Sequence, residues 1–284
     1  MKTPILIECP RDAMQGIKNW IPTEAKIKYI QSLLSVGFDV LDVGSFVSPK
    51  AIPQMKDTAV VLENIDFSEC KSELLVIVAN LRGALEAVKY DAITYIGFPL
   101  SVSENFQMRN THKTQEEALF LLDQLIEVCN NSGKKLVLYL SMGFGNPYGD
   151  PWSVEIVTNW IDLLAQKGIQ IISLSDTVGS AKTNDISEIF KAAINQYSEI
   201  EIGAHFHTQP EKAFSKIKAA HEAGCNRFDG AIKGFGGCPM AADNLTGNMP
   251  SEKLISYFNQ QQIPLNIDPI KFEYAYNQSL TIFI

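Results

Sequence analysis

Eight short runs rich in β-branched and apolar residues, each followed by a longer segment of helical spacing, predict an α/β fold closed as a (β/α)8 TIM barrel. Two further features favour it. The connections are short and show no break in composition, and polar or ionisable residues gather at the C-terminal ends of the runs, where such barrels carry their chemistry. A doubly wound open sheet is the runner-up. A single domain is expected over 1–284, with the barrel at about 4–262 and a short C-terminal helical extension at about 263–284.

Taken in order, the strands are expected at 4–9, 39–43, 74–79, 92–98, 135–141, 169–175, 201–207 and 226–231. Helices are expected at 23–36, 52–63, 81–89, 114–131, 153–167, 186–197, 211–223 and 251–262, with an added helix at 268–279. Thr23 and Ser153 stand where an N-cap hydroxyl would satisfy free backbone N–H groups. Gly37, Gly168 and Gly224 each separate a helical stretch from the next strand, a left-handed C-terminal position.

Composition narrows the functional classes. Hydrophobic residues make up 46% of the 284 positions and charged residues 20%, which excludes a disordered chain. Acidic residues outnumber basic ones by 32 to 24, so no nucleic-acid partner is expected. No apolar run approaches the roughly 18 residues of a membrane span, so no membrane partner is expected either. The five cysteines (Cys9, Cys70, Cys129, Cys225, Cys238) are scattered, which suits a reducing compartment. Met1 runs almost directly into Ile5-Leu6-Ile7 without a leader, and a cytoplasmic protein is expected.

The strand ends carry the candidate chemistry. His205 and His207 lie two apart on a strand, so both imidazoles face the same side, here the barrel interior. Asp12 is the natural oxygen donor to complete a metal site with them. Arg11 beside it could form a structural ion pair with it, the commoner role for such neighbours, or could point elsewhere, leaving one residue for a metal and its neighbour for substrate. Asp42 and Asp176 end other strands, as active-site carboxylates or as helix-capping residues. The Gly234-Phe235-Gly236-Gly237-Cys238-Pro239 loop can approach a ligand closely, with Cys238 placed for proton transfer. His112 and His221 read as ordinary surface histidines.

These residues match a known family. The chain resembles the 3-hydroxy-3-methylglutaryl-CoA (HMG-CoA) lyases, metal-dependent TIM-barrel carbon–carbon lyases, over nearly its whole length. The resemblance rests on Pro10-Arg11-Asp12-Ala13-Met14-Gln15, Ser45-Phe46-Val47-Ser48-Pro49-Lys50, Pro53-Gln54-Met55, Asn80-Leu81-Arg82-Gly83 and Ser103-Glu104-Asn105-Phe106. It continues through Ser173-Leu174-Ser175-Asp176-Thr177-Val178-Gly179, His205-Phe206-His207, the glycine loop with Cys238, and Gly247-Asn248. It implies that Asp12, His205, His207 and Asn248 bind a divalent cation, Mg²⁺ or Mn²⁺. It further implies that Arg11, Cys238, Asp42 and Asp176 act in catalysis, and that Gln15, Lys18, Asn19 and Ser45 bind an acyl-CoA substrate. Relatives often form homodimers, which extends the same expectation here.

This sequence departs from the family in places. Asp42 stands where the family commonly has Glu, Thr208-Gln209-Pro210-Glu211 replaces the usual segment after the histidine pair, and Met240 follows the cysteine loop in place of Tyr. The competing readings are a lyase or aldolase for another 3-hydroxyacyl-CoA or a hydroxy-oxoacid, and a non-catalytic acyl-CoA and metal binder. The joint presence of Arg11, Asp12, His205, His207 and Cys238 speaks against the second.

Overall fold

The computed structural model describes residues 3–237 and 246–283. All eight expected strands are present: β1 (Ile5–Glu8), β2 (Val40–Ser45), β3 (Glu73–Ile77), β4 (Ile93–Ser101), β5 (Lys135–Ser141), β6 (Ile171–Asp176), β7 (Glu201–Phe206) and β8 (Arg227–Gly230). They pair in parallel in chain order, and β8 returns to β1 to close the barrel. The open sheet is therefore excluded.

Helices among the described residues are α1 (Pro10–Gln15), α2 (Thr23–Leu34), α3 (Thr58–Glu63), α4 (Leu81–Ala87), α5 (Glu104–Thr111), α6 (Gln115–Ser132), α7 (Val154–Gln166), α8 (Thr183–Gln196), α9 (Ala213–Glu222), α10 (Ser251–Gln260) and α11 (Pro269–Ile282). None is long and apolar enough to cross a membrane. The helical rhythm did not reveal α1 or α5. One is a short turn opened by Pro10, and the other is polar almost throughout, so neither shows an apolar stripe. The expected helix at 52–63 splits into a 3-10 turn at Pro53–Met55 and α3.

Local punctuation mostly behaves as the residues dictate. The Ser153 hydroxyl caps α7 by accepting from the Ile156 amide, and Gly37, Gly168 and Gly224 all hold positive φ. Thr23 does not cap. It is the first residue of α2, whose N-cap is Pro22, and its hydroxyl donates to Asp57 Oδ2 at 2.8 Å instead.

Side chains alternate across each strand and so build two apolar layers. Leu75 and Ile77 pack inside the barrel with Ile7, Val40, Tyr95, Val137 and Tyr139. Leu74 and Val76, their neighbours in sequence, pack outside against the helices. Burying each such side chain contributes about 1.5–3 kcal/mol. The C-terminal helix α11 lies along α2: Phe272 meets Phe38 edge-on, and Phe283 stacks on Phe235 with ring centroids 4.5 Å apart. The chain end thereby props the glycine-rich loop after β8.

Two close contacts generate predictions. A Cβ added at Gly83 would lie 2.5 Å from the Phe46 carbonyl oxygen, so Gly83→Ala must push α4 away from the loop after β2. A loss of about 1–3 kcal/mol is expected in urea denaturation, and an unchanged midpoint would show that the loop yields freely. Glu8 is fully buried, accepts from the Ile232 amide at 2.9 Å and from the Ser251 hydroxyl, and ties β1 to the start of α10. Burial pushes its carboxyl from an ordinary 4.5 up to about 8, against those two bonds. Because the folded protein holds this proton more tightly than the unfolded chain, its contribution is complete below pH 4.5 and is lost as pH rises to about 8. Unfolding free energies measured across that window should fall less steeply in Glu8→Gln than in the wild type.

Candidate active site

Closure of the barrel brings the ends of β1, β2, β7 and β8 together at one mouth. Arg11 sits there in α1, immediately after β1, and is buried. Its Nε and Nη2 both bond Asp42 of β2, the shortest contact being 2.5 Å, and its Nη1 donates to Asp12 Oδ1 at 3.0 Å and to Gln15 Oε1 at 2.9 Å. Arg11 and Asp12 therefore do not diverge, as neighbours on a strand would. They share one helical turn and form an ion pair. Burial alone disfavours the charged guanidinium, but the two carboxylates outweigh it and raise its pKa. Burial raises Asp42 to about 6, with Arg11 opposing.

Asp12 Oδ1 is engaged by Arg11 and by the Gln15 amide, whereas its Oδ2 is buried without a hydrogen-bond partner. Across the barrel, His205 Nδ1 lies 2.9 Å from Asp229 Oδ2, and His207 Nδ1 lies 3.0 Å from the Thr246 carbonyl oxygen. A carbonyl only accepts, so His207 carries its proton on Nδ1 and turns the Nε2 lone pair away from it. The carboxylate makes the same assignment at His205. One donor atom from each of Asp12, His205 and His207 lies within 4.8 Å of the others. Burial would raise the Asp12 carboxyl, but Arg11 and the two imidazoles bring it below the ordinary carboxylate value. Burial and the neighbouring His205 lower His207 to about 4, so it is neutral at physiological pH.

An orphaned carboxylate oxygen facing two oriented imidazole lone pairs fits a divalent cation. Asn248 joins from an antiparallel bridge to His207, its amide Nδ2 donating to the Phe235 carbonyl at 2.8 Å. Gly236 explains the glycine loop. It holds φ +93°, and a Cβ there would lie 2.6 Å from the Asp12 carbonyl oxygen and 2.8 Å from Asn248 Nδ2. Only a glycine backbone can pass over the site at that distance.

These donors form part of the wall of a cavity of about 320 Å³. Arg11, Asp12, Gln15, His205 and His207 line it, with Ser141, Ser175 and Thr177 from neighbouring strand ends. Val47, Ile52, Ile77, Pro99 and Phe106 make an apolar wall. Asp42 stands behind Arg11 and does not line it. Ser45 lines an adjacent cavity of about 300 Å³ with Lys56 and Arg82, the two spaces sharing Val47. Lys18 and Asn19 are exposed on the loop after α1 and line neither cavity. Cys238 lies outside the described residues.

Asp176, read as an active-site or a helix-capping carboxylate, does not line the cavity. Ser175 and Thr177 face the cavity, so strand alternation turns Asp176 outward. There it meets Lys216 Nζ of α9 at 2.5 Å and accepts from the Ala181 amide. Lys216 also donates to the His207 carbonyl at 3.1 Å, which braces the metal-facing segment from outside the barrel. His112, read as a surface histidine, is exposed and also lines the cavity mouth with Lys113. It ends α5 in the left-handed conformation at φ +54°. The available signal was its position after β4, on the face where βα loops converge.

A family model described as HMGL-like matches residues 5–277. The chain belongs to the HMGL-like family. Among HMGL-like proteins it is 33% identical to the hydroxymethylglutaryl-CoA lyase of Bacillus subtilis over 265 residues, covering 91% of this chain and 85% of that protein. It is 30% identical to a 3-hydroxy-3-isohexenylglutaryl-CoA/hydroxymethylglutaryl-CoA lyase of Pseudomonas aeruginosa, covering 91% and 85%. The solved HMG-CoA lyase of Acinetobacter baumannii, in complex with coenzyme A and 3-methylmalate, superposes with a TM-score of 0.91 at 28% identity, covering 99% of this chain and 91% of that one.

In this HMGL-like chain the Asp176–Lys216 pair is a strut, and the prediction follows. Lys216→Met strands a buried carboxylate and should cost about 3–5 kcal/mol in denaturant unfolding. Stability within error of the wild type would show that Asp176 does not need its partner.

Proposed function

We propose that this protein cleaves 3-hydroxy-3-methylglutaryl-CoA to acetyl-CoA and acetoacetate, with Mg²⁺ or Mn²⁺ as its divalent cation. The observation that carries this reading is the unpartnered Asp12 oxygen aimed at two imidazoles, beside a guanidinium fixed by two carboxylates. A divalent cation held by Asp12, His205 and His207, with Asn248 as a further ligand, would supply Lewis-acid polarisation of the substrate's hydroxyl and carbonyl oxygens.

The protein's own groups do the rest. Loss of the tertiary hydroxyl proton turns that oxygen into a carbonyl as the neighbouring C–C bond breaks, releasing acetoacetate and the enolate of acetyl-CoA. Arg11 faces the developing enolate oxygen as a fixed charge that need not reorganise. Asp42 acts through Arg11 by holding its guanidinium in one orientation, and is a positioning residue. Gln15 fixes Asp12 Oδ1 and so aims Oδ2. Cys238, which follows Gly237 in the sequence, is assigned the proton transfer on the family resemblance. The acyl-CoA would enter along the rim carrying His112 and Lys113. Ser45, with Lys56 and Arg82 in the adjoining cavity, offers a polar path for the carrier, and Lys18 and Asn19 extend it over the surface. The four cysteines described are all unpaired, which supports a reducing, cytoplasmic setting.

One observation favours a second acyl group. The wall formed by Val47, Ile52, Ile77, Pro99 and Phe106 is apolar and would accept a longer alkyl substituent at C3 of the glutaryl unit. Turnover of a C3-extended 3-hydroxyglutaryl-CoA, compared with the methyl compound, decides between the two.

The leading test is steady-state acetoacetate release from 3-hydroxy-3-methylglutaryl-CoA with Mg²⁺ or Mn²⁺ and with excess EDTA. Turnover should require the cation and disappear in His207→Ala. Arg11→Gln should lower kcat by about 10²–10³-fold, the scale of losing one preorganised charge or donor at a developing oxyanion. A kcat within tenfold of wild type would take Arg11 out of the reaction. Metal binding without turnover of either acyl group would overturn the assignment.

A further inference from the structure

Deeper in the barrel than the Asp12 triad lies a second set of donors. Cys9 follows β1, His205 is on β7, and Asp229 on β8 pairs with His205 in the strand register. One ligand atom from each of the three lies within 4.8 Å of the others, and all three side chains are buried. Two independent observations point to a ligand here. Asp229 is only 3% exposed, and its Oδ1 has no hydrogen-bond partner, while its Oδ2 holds His205 Nδ1. Carboxylates also gather around Cys9. Asp229, Asp42 and Asp12 all act on its thiol and Arg11 opposes them, while Arg227, which faces Asp229 from below, is paired with Glu201 at 2.7 Å. The carboxylates gathered around Cys9 favour a cation among these donors, with Arg227 also acting on Asp229.

We propose that Cys9, His205 Nδ1 and Asp229 form a binding site for a thiophilic divalent cation such as Zn²⁺, and that its occupation excludes the cation at Asp12, His205 and His207. The donor set of thiolate, imidazole and carboxylate selects a softer ion than an oxygen-rich shell does. On binding, the Cys9 thiol releases its proton to solvent, and the His205 proton moves from Nδ1 to Nε2 as Nδ1 takes the metal. A neutral imidazole has one lone pair, so with Nδ1 bound and Nε2 protonated, His205 is lost to the upper triad. The exclusion rests on the upper triad being the Mg²⁺ or Mn²⁺ site, whereas the lower site does not.

Cobalt separates the sites, because only a thiolate ligand gives a charge-transfer band in the near ultraviolet. Metal-free full-length protein titrated with Co²⁺ should develop that band. It should vanish in Cys9→Ser and in Asp229→Asn, and persist in Cys238→Ser. Cys9→Ala, checked by near-ultraviolet circular dichroism, is the second variant should the serine form not fold. Mg²⁺ at about ten times its own Kd should raise the apparent Kd for Co²⁺ about tenfold. Stoichiometric Co²⁺ without the band, or a band that survives at Cys9→Ser and is lost at Cys238→Ser, overturns the site. A Cys9-dependent band indifferent to Mg²⁺ overturns the exclusion. A Cys9-dependent band that Mg²⁺ displaces, in a protein that turns over no acyl-CoA, leaves the proposal standing while removing the lyase reading.

Discussion

A guanidinium buried between two carboxylates at the mouth of the barrel is the constraint from which the site follows. Removing Arg11 from water is tolerable only because Asp42 meets it with two bonds and Asp12 and Gln15 take its remaining donor. That arrangement occupies one oxygen of Asp12 and leaves the other buried and unsatisfied, which is the chemical requirement for a cation. The same pair of residues therefore builds both a fixed positive charge and a metal-seeking oxygen, side by side in one helical turn. Asp42, although away from the cavity wall, is the residue that allows both.

The opposite wall is oriented by backbone and outer-layer groups. His207 is aligned by the Thr246 carbonyl, its own carbonyl is held by Lys216, and Lys216 is held in turn by Asp176 on the outer face of β6. Asn248 is aimed by the carbonyl of Phe235, whose ring is stacked by Phe283 at the far end of α11. The C-terminal extension is thus coupled to the glycine loop above Asp12. Activity in such a site depends on residues that touch no substrate, since a misplaced support displaces a ligand.

His205 joins the upper and lower donor sets through its two nitrogens. Asp229 gives its Nδ1 a partner and, by doing so, presents Nε2 to Asp12. A single imidazole cannot present both lone pairs, so the tautomer of this ring determines which donor set can bind an ion.

Much of this was legible in the sequence, because it depends on local rules. The alternation of periods gave eight strands and their order, strand alternation put His205 and His207 on one face, and the crowding of polar residues at strand ends marked the functional mouth. Short or polar helices such as α1 and α5 escaped, since they carry no apolar stripe. Alternation also contained the correct placement of Asp176, which must face away from Ser175 and Thr177, but chemistry at a strand end obscured it. What the sequence could not contain was the identity of partners across the closed barrel. That Asp229 meets His205, that Asp42 reaches Arg11 and that the exposed His112 borders the cavity depend on register, closure and a left-handed backbone. These bring together groups 24 and 31 residues apart in the two pairs. Periodicity is a property of neighbours, whereas a buried charge is satisfied by whatever the folded barrel places beside it, and only the tertiary structure decides that.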